Sequence, residues 1–488
     1  MTSLKRIGVF ALSMVIVVSA LAGCSGGAPK SSSSQAAPAA SLSESVESDT
    51  YENGLSRTEK VILNFAIHDA GVGTAYFDET LKLFQSLYPN VEVNVTKSAD
   101  IQTIIQTKIA AGDDDDMFDL FNNPNNRDEL IQAGALEPCD EMWDWEFHDT
   151  PGVKIKDLAV PTTVEFSYLS GWPDGEKHVA QFPCHGGNYA GIFYNKGLFE
   201  EKGWNTAPAT WEEFLDLCET IKNDGTVPLV FPGVYSYYLD RSMSQLKSFE
   251  LADEAGELDS FMDSFRNYSG DYYTNEYSLE VWNRISQLGK LGYFHTGLAG
   301  MTHTQAQMQV LQGNVAMVST ASWVGNEMAD STPEGFEWGY MVVPFREDES
   351  STLYVRGGGN NGYVIWANKP DVNKAWCKEF IRLMCDMSVQ EVIAESGNIP
   401  FIRTDYFEDQ ARVDKLQATC KSVFDYLADC DDYVVEDLGH FSIPTDPAFA
   451  QAQQVFSENY VDMALGNVNP EDVLTECQEL LDKANAAG

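Results

Sequence analysis

The stretch VILNFAI (residues 61–67), followed by TAYFDETLKLFQSLY (74–88), VEVNV (91–95), DIQTIIQTKIAA (100–111) and MFDLF (117–121), decides the fold. The first, third and last pieces are short and apolar or alternating, which is typical of buried strands. The second and fourth pieces place apolar side chains at helical spacing. The predicted order is therefore β-α-β-α-β, which requires a parallel sheet covered by helices on both faces.

Polar side chains follow these predicted strands. His68 and Asp69 come after the first strand, and Asn123 comes after the third. Because ligands of parallel sheets bind beyond the carboxyl ends of the strands, we expect these three side chains to face a ligand. The four carboxylates at Asp113–Asp116 lack the spacing of a calcium-binding loop, so we interpret them as a solvated turn and predict no metal site.

A second α/β region follows residue 183. It alternates predicted strands at 189–194, 227–231, 315–319 and 338–343 with helices, and the remainder of the chain is mostly helical. The sequence carries no internal repeat. The fold class is therefore α/β throughout, with more than one packed body.

Charge and composition exclude several classes of partner. The 488 residues include 31 Lys and Arg against 74 Asp and Glu, which gives a formal net charge of −43. So acidic a surface argues against binding to nucleic acid or to anionic lipid headgroups, because both need a basic face. Hydrophobic residues make up 44% of the chain, which is enough for sizeable cores and excludes wholesale disorder.

The N-terminus predicts export. Lys5 and Arg6 precede an apolar run at 7–22 that is too short for a bilayer span and is typical of a secretory signal. The sequence LAGC at 21–24 resembles the bacterial lipobox, which implies cleavage after residue 23 and lipidation of Cys24. We interpret residues 24–58, which are rich in Ser and Ala, as a disordered tether at the extracellular face of a cell without an outer membrane.

The eight remaining cysteines do not form an obvious disulfide framework. Cys377 and Cys385 share a predicted helix, where they lie about 12 Å apart and cannot be bridged. No C-x-x-C motif occurs, so zinc binding and redox chemistry are not predicted. Most of these residues are expected to be buried thiols, and a bridge between Cys139 and Cys184 stays open.

Four pieces of sequence, in this order, resemble the carbohydrate-binding group of bacterial extracellular solute-binding proteins, which is related to maltose-binding protein. The resemblance covers residues 59–486 or so. The matching pieces are FP at 182–183 with GIFYNKGLF at 191–199, PATWEEF at 208–214, GNVAM at 313–317 with SW at 322–323, and GGG at 357–359 with GNIP at 397–400.

The resemblance implies a two-lobed, periplasmic-binding-protein-like fold of type II, with a ligand cleft between the lobes and a hinge of crossing segments. Lobe 1 would comprise 59–183 plus 345–403, and lobe 2 would comprise 184–344 plus 404–488. Such a protein is not an enzyme and uses no cofactor. Its partners would be a carbohydrate and the transmembrane permease of an ABC importer, its contact with the membrane would be the lipid anchor alone, and we expect a monomer.

The resemblance also implies which residues line the cleft. Sugars need aromatic platforms for their C–H faces and polar groups for their hydroxyls. Trp323 occupies the position where the family places a stacking aromatic, and Tyr237 follows a predicted strand. The other candidates lie on crossing segments and supply polar groups or a close backbone approach: His185, Asn188, Tyr189, Gly358, Gly359 and Asn360.

Two other functions remain compatible with the sequence. A surface-anchored glycoside hydrolase would need two carboxylates about 5–10 Å apart, and no motif points to such a pair. A peptide or polyamine receptor of the same fold would also suit a lipobox, and polyamine binding would suit the acidity. The sequence does not specify which sugar a carbohydrate receptor would take.

Overall fold

The computed structural model describes residues 49–122, 124, 126–243, 245–358, 362–436 and 438–487. Several predictions therefore lie outside the described residues: the signal peptide at 1–23, Cys24 and the tether up to residue 48, and the candidate site residues Asn123, Gly359 and Asn360. The chain divides into two compact units, 1–58 and 59–488. Among the described residues, no helix has both the length and the apolar content that crossing a bilayer requires.

The described part of the second unit contains twelve strands. In chain order they are β1 (Val61–His68), β2 (Val91–Ser98), β3 (Leu120–Asn122), β4 (Tyr168–Leu169), β5 (His178–Val179), β6 (Asn188–Asn195), β7 (Val227–Val230), β8 (Val315–Ala321), β9 (Trp338–Met341), β10 (Leu353–Gly358), β11 (Tyr363–Ile365) and β12 (Tyr433–Glu436).

Helices surround these strands. In chain order they are α1 (Ala75–Leu87), α2 (Ile101–Ala111), α3 (Arg127–Gln132), α4 (Ile155–Leu158), α5 (Pro161–Ser167), α6 (Lys196–Lys202), α7 (Trp211–Asn223), α8 (Gln245–Glu254), α9 (Leu258–Arg266), α10 (Glu276–Lys290), α11 (His303–Leu311), α12 (Val324–Glu327), α13 (Asp371–Met384), α14 (Met387–Glu395), α15 (Gln410–Val413), α16 (Ala418–Ala428), α17 (Pro447–Leu465) and α18 (Pro470–Ala487). Short 3-10 helices occupy Asp140–Asp144, Gly233–Arg241, Leu298–Gly300, Ala329–Ser331 and Thr404–Glu408.

The first sheet has the order β11-β3-β1-β2. Strand β1 pairs in parallel with β2 and β3, so the predicted β-α-β-α-β unit is confirmed. Strand β11 arrives from far along the chain and pairs antiparallel with β3. The carboxyl ends of β1, β2 and β3 and the start of β11 therefore share one border, which we call the first edge.

The second sheet has the order β12-β10-β6-β8-β7, and β9 pairs with another part of β6. Strands β12 and β10 are parallel to each other, as are β7 and β8, whereas β6 runs antiparallel to β10 and β8. The carboxyl ends of β12, β10, β8 and β7 and the start of β6 therefore share one border. We call this border the second edge.

Three close contacts hold the chain where it passes between the sheets. Phe182 bridges to Tyr363, and Gly187 bridges to Ile399. Gly358 pairs with Asn188 at the start of β6. Strand β10 thus pairs within the second sheet, although residues 345–403 were predicted to belong to lobe 1. The exact lobe boundaries stay a prediction.

A buried ion pair fixes α8 to the segment that enters β10. Lys247 Nζ lies 2.9 Å from Glu250 Oε2, and both side chains are almost fully buried. Glu250 Oε1 also accepts hydrogen bonds from the backbone amides of Phe345 and Arg346, at 2.5 and 2.8 Å. Because these bonds satisfy a buried carboxylate, they offset much of the cost of removing its charge from water.

The cysteines of the described residues are unpaired. The bridge between Cys139 and Cys184 that the sequence left open is therefore not formed. Cys184 Sγ lies 3.5 Å from Met384 Sδ, and burial raises the pKa of the Cys184 thiol to about 12. Such a thiol behaves as a small apolar core residue rather than as a nucleophile.

Candidate ligand-binding cleft

The first and second edges lie opposite each other. Helix α12, which follows β8 at the second edge, places Asn326 against the loop that follows β1 at the first edge. Asn326 Nδ2 donates a hydrogen bond of 2.8 Å to the Gly71 carbonyl oxygen. The space between the edges is thus bordered by side chains from both sheets, as a ligand cleft requires.

Five rings form a cluster on the second edge, which we call the aromatic cluster: Tyr235, Tyr237, Tyr238, His303 and Trp323. The Trp323 and Tyr238 rings meet edge to face at 6.3 Å, and Tyr238 stacks with His303 at 6.1 Å. Tyr237 lies 5.3 Å from Tyr238. The five rings come from three places in the chain: the 3-10 helix after β7, the start of α11 and the turn after β8. Their contacts form one apolar surface.

Local backbone interactions place these rings. Thr302 caps α11 in a capping box with Gln305, which fixes His303 in the first turn of the helix. Ser322 Oγ donates to the Gly397 carbonyl at 2.9 Å. Gly397 has a φ of +97° and passes so close that a side-chain carbon there would lie 3.1 Å from Trp323 Cα. Trp323 is therefore held against the segment that contains Gly397.

Charged groups adjoin the aromatic cluster. The Arg241 guanidinium lies 5.5 Å from the centre of the Trp323 ring, and its buried Nε has no hydrogen-bond partner among the described residues. Glu327 Oε2 accepts a hydrogen bond of 2.8 Å from Gln307, and Glu327 Oε1 lies 3.3 Å from His303 Nε2. Both oxygens of this carboxylate are thus engaged by the protein.

The first edge contributes two imidazoles. The His68 amide donates to Asn122 Oδ1 at 2.9 Å, while His68 Nδ1 is buried without a hydrogen-bond partner among the described residues. Burial lowers the pKa of His68, although the nearby carboxylates of Asp69 and Glu327 partly oppose this.

His185 is the second imidazole. Its ring packs on Tyr76 with centres 4.2 Å apart, and its buried Nε2 has no hydrogen-bond partner within the described part of the chain. Burial, with a smaller contribution from His68, lowers the pKa of His185 to about 4. Both imidazoles are therefore neutral at pH 7, which suits hydrogen bonding to an uncharged ligand.

The predicted site residues fall into two groups. Trp323, Tyr237, His68, His185, Asp69, Asn188 and Gly358 all lie at or beside the two edges. Tyr189 does not: its ring packs between Phe401 and Phe424, at 6.0 and 5.9 Å, in the core of the second sheet. Because side chains alternate along a strand, Asn188 and Tyr189 point to opposite faces, and a ligand contact for Tyr189 is not supported.

Five residues of the cleft were not among the predicted site residues: Tyr235, Tyr238, Arg241, His303 and Glu327. Tyr238 and Arg241 lie on the same 3-10 helix as Tyr237, so their proximity could have been expected. His303 starts a helix of its own, and only the folded chain brings it to Glu327. Nothing in the local sequence around His303 distinguishes it from a solvated helix start.

The sequence pattern of the family described as bacterial extracellular solute-binding protein matches residues 70–390. The chain belongs to this family. Members are binding proteins and not enzymes, which excludes the glycoside hydrolase alternative. The two sheets with their crossing segments are those of the two-lobed, type II fold of solute-binding proteins.

Relatives of this solute-binding protein are distant. A diacetylchitobiose binding protein of Streptomyces coelicolor is 24% identical over 378 residues, which is 74% of this chain and 76% of that protein. A multiple sugar-binding protein of Streptococcus mutans is 23% identical, over 64% of this chain and 68% of that protein. A solved chitin oligosaccharide binding protein has a TM-score of 0.63 at 18% identity, covering 88% of this chain and 99% of the other.

We expect His185 to make the stability of the protein depend on pH. Because its pKa is about 4 when folded and near 6.5 when unfolded, the unfolded chain takes up a proton first as the pH falls. Stability is therefore lost between pH 6.5 and pH 4 or so, by roughly 1–3 kcal/mol from this residue. Urea unfolding at pH 7 and pH 4.5 should show a smaller loss for His185→Gln than for the wild type. An equal loss in both proteins would contradict this assignment.

Proposed function

We propose that this protein is an extracellular, lipid-anchored receptor of an ABC importer, which captures a sugar or oligosaccharide in the cleft and delivers it to the membrane permease. The single observation that carries the proposal is the composition of the cleft. An aromatic cluster on the second edge lies opposite neutral imidazoles on the first, and three buried polar atoms there have no partner among the described residues.

This composition matches the chemistry of sugars. A pyranose ring has an apolar C–H face, which packs on an aromatic ring, and a rim of hydroxyls, which need donors and acceptors. The unpartnered His68 Nδ1, His185 Nε2 and Arg241 Nε could each bond to such a hydroxyl. A buried polar atom without a partner costs about 1–3 kcal/mol, and a hydroxyl-bearing ligand would remove that cost.

The comparisons support a carbohydrate. The diacetylchitobiose and multiple sugar-binding proteins are named for the sugars that they bind. A structural relative with a TM-score of 0.62 is a solute-binding protein in complex with raffinose. Identities of 24% or less do not transfer a particular sugar, so the proposal extends to the class alone.

A polyamine ligand is less well supported. A polyamine needs free carboxylates in the cleft to pair with its ammonium groups. Glu327 is already engaged by Gln307 and His303, and Arg241 adds a positive charge nearby. Among the described residues, the overall acidity of the chain therefore does not extend to a free anionic site in the aromatic half of the cleft.

We further propose that binding closes two lobes about the crossing segments. Lobe 1 would hold 59–183 plus 345–403 and lobe 2 would hold 184–344 plus 404–488, except that β10 would belong to lobe 2. A ligand that touches both edges favours the closed state, in which Asn326 reaches Gly71, and the permease would recognise that state.

Trp323→Ala should weaken binding by roughly 1–3 kcal/mol, because it removes the aromatic face on which a sugar would pack. The measurement is calorimetry against a panel of mono- and oligosaccharides. Trp323→Phe should retain part of the affinity. Trp145→Ala removes a half-buried tryptophan outside both edges and should leave the affinity unchanged. Equal affinities for Trp323→Ala and the wild type would contradict the proposed site.

The lipid anchor has its own test. If Cys24 is acylated, the protein should partition into the detergent phase on Triton X-114 separation, and Cys24→Ser should move it to the aqueous phase or leave the signal uncleaved. Cys430→Ser, at a partly buried cysteine elsewhere in the chain, is the matched control and should not change partitioning. Aqueous partitioning of the wild type would contradict the anchor.

A further inference from the structure

Four side chains pack together beside β12, at one end of the second edge. They are Phe166 from α5, Lys177 from the turn before β5, Arg266 from α9, and Phe441 from the segment after β12. The Phe166 and Phe441 rings stack at 5.9 Å, with an angle of 21° between their planes. Lys177 Nζ lies 4.7 Å from the centre of Phe441, and the Arg266 guanidinium lies 4.7 Å from the centre of Phe166. We call this group the clasp.

The half of the clasp on the second sheet is firmly held. Arg266 is only 2% exposed, and its guanidinium donates to Glu436 Oε1 at 2.5 Å and to the Gly439 carbonyl oxygen. The Arg266 carbonyl in turn accepts a hydrogen bond of 2.7 Å from the Phe441 amide. Phe441 is therefore fixed to the body of the second sheet.

The other half of the clasp, formed by Phe166 and Lys177, is also held. Ser167, the last residue of α5, accepts a hydrogen bond of 3.1 Å from the Trp143 indole. The turn that carries Lys177 is fixed through His178, whose two ring nitrogens lie 2.5 Å from Asp140 and 2.9 Å from Asp174. The clasp thus links α5 and the turn before β5 to α9 and the segment after β12.

The clasp would block the passage of a sugar rather than offer a ring on which a sugar could stack. The Phe441 ring is contacted by Phe166 and Lys177, and the Phe166 ring is contacted by Phe441 and Arg266. Stacking a sugar would require displacing these partners. Each cation–aromatic contact adds about 0.5–1 kcal/mol or more to the stacking of the rings, so displacement is unfavourable.

The other end of the second edge is open. Strand β7 is the outermost strand there, and the residues that follow it include Tyr235 and Tyr237, which are 36% and 52% exposed. Four strand spacings separate β12 from β7, or about 19 Å at the usual 4.8 Å. The clasp and the exposed tyrosines therefore lie at opposite ends of the second edge.

From this asymmetry we infer that the cleft is closed at one end, so that it binds an oligosaccharide by its terminal unit and tolerates extension from one end only. The terminal unit lies towards the clasp, and the remaining units pass over Trp323 and leave the cleft beside Tyr237. The inference rests on the proposed function and adds to it the class of ligand: chain-terminal oligosaccharides, with the clasp as the determinant of specificity.

The test uses maltotetraose and chitotetraose, each unlabelled, labelled at the reducing end with 2-aminobenzamide, or capped at the non-reducing end with a 4,6-O-benzylidene group. For whichever sugar binds, calorimetry should find one modification tolerated within about threefold and the other weakening binding by about tenfold or more. Equal tolerance or equal rejection of both modifications would overturn the inference. Failure of every unlabelled oligosaccharide to bind would instead count against the proposed function itself.

Clasp variants assign the effect to these residues. Phe441→Ala should restore binding of the rejected ligand to within a fewfold of the unlabelled sugar. Lys177→Ala, at an exposed position where folding is not at risk, should restore it in part. Phe407→Ala, which removes another partly exposed phenylalanine, is the matched control and should restore nothing. Continued rejection by both clasp variants, with folding verified by circular dichroism, would contradict the role of the clasp.

Discussion

Glycine at positions 187 and 362 allows the crossing segments to pack closely against their neighbours where the chain passes between the sheets. A side-chain carbon at Gly362 would lie 1.6 Å from the Phe182 carbonyl oxygen, and one at Gly187 would lie 2.1 Å from the Phe401 ring. Such close approach fixes where each crossing segment enters its sheet. Because the strand directions then place the ligand-facing ends of both sheets at facing borders, the cleft depends on these contacts.

The cleft retains polar atoms that folding alone does not satisfy. His68 Nδ1, His185 Nε2 and Arg241 Nε are each buried without a hydrogen-bond partner among the described residues, whereas the buried carboxylate of Glu250 is well paired. A buried donor or acceptor without a partner reduces stability, and a ligand hydroxyl that bonds to it would remove that cost. The same protein uses the clasp to fill the other end of the cleft with rings that already have partners.

Local sequence patterns predicted the strands and helices whose formation depends on residues close together in the sequence. Hydrophobic periodicity predicted β1, α1, β2 and α2, and the rule for strand ends predicted that His68 would border the cleft. The position of Trp323 came from the resemblance to the family. Tyr189 was assigned to the cleft because its crossing segment was identified correctly, but the segment does not reveal which face of the strand each side chain occupies. The Glu327–His303 pair and the clasp join distant parts of the chain, and only the folded structure brings them together.

The central claim is that one ligand is held by both sheet edges at once. Hydrogen–deuterium exchange, recorded with and without a saturating oligosaccharide from the binding panel, tests it most directly. Exchange should slow together in residues 68–74, on the first edge, and in residues 321–328, on the second. Slower exchange on one edge only, or on neither while the sugar is bound, would contradict the account.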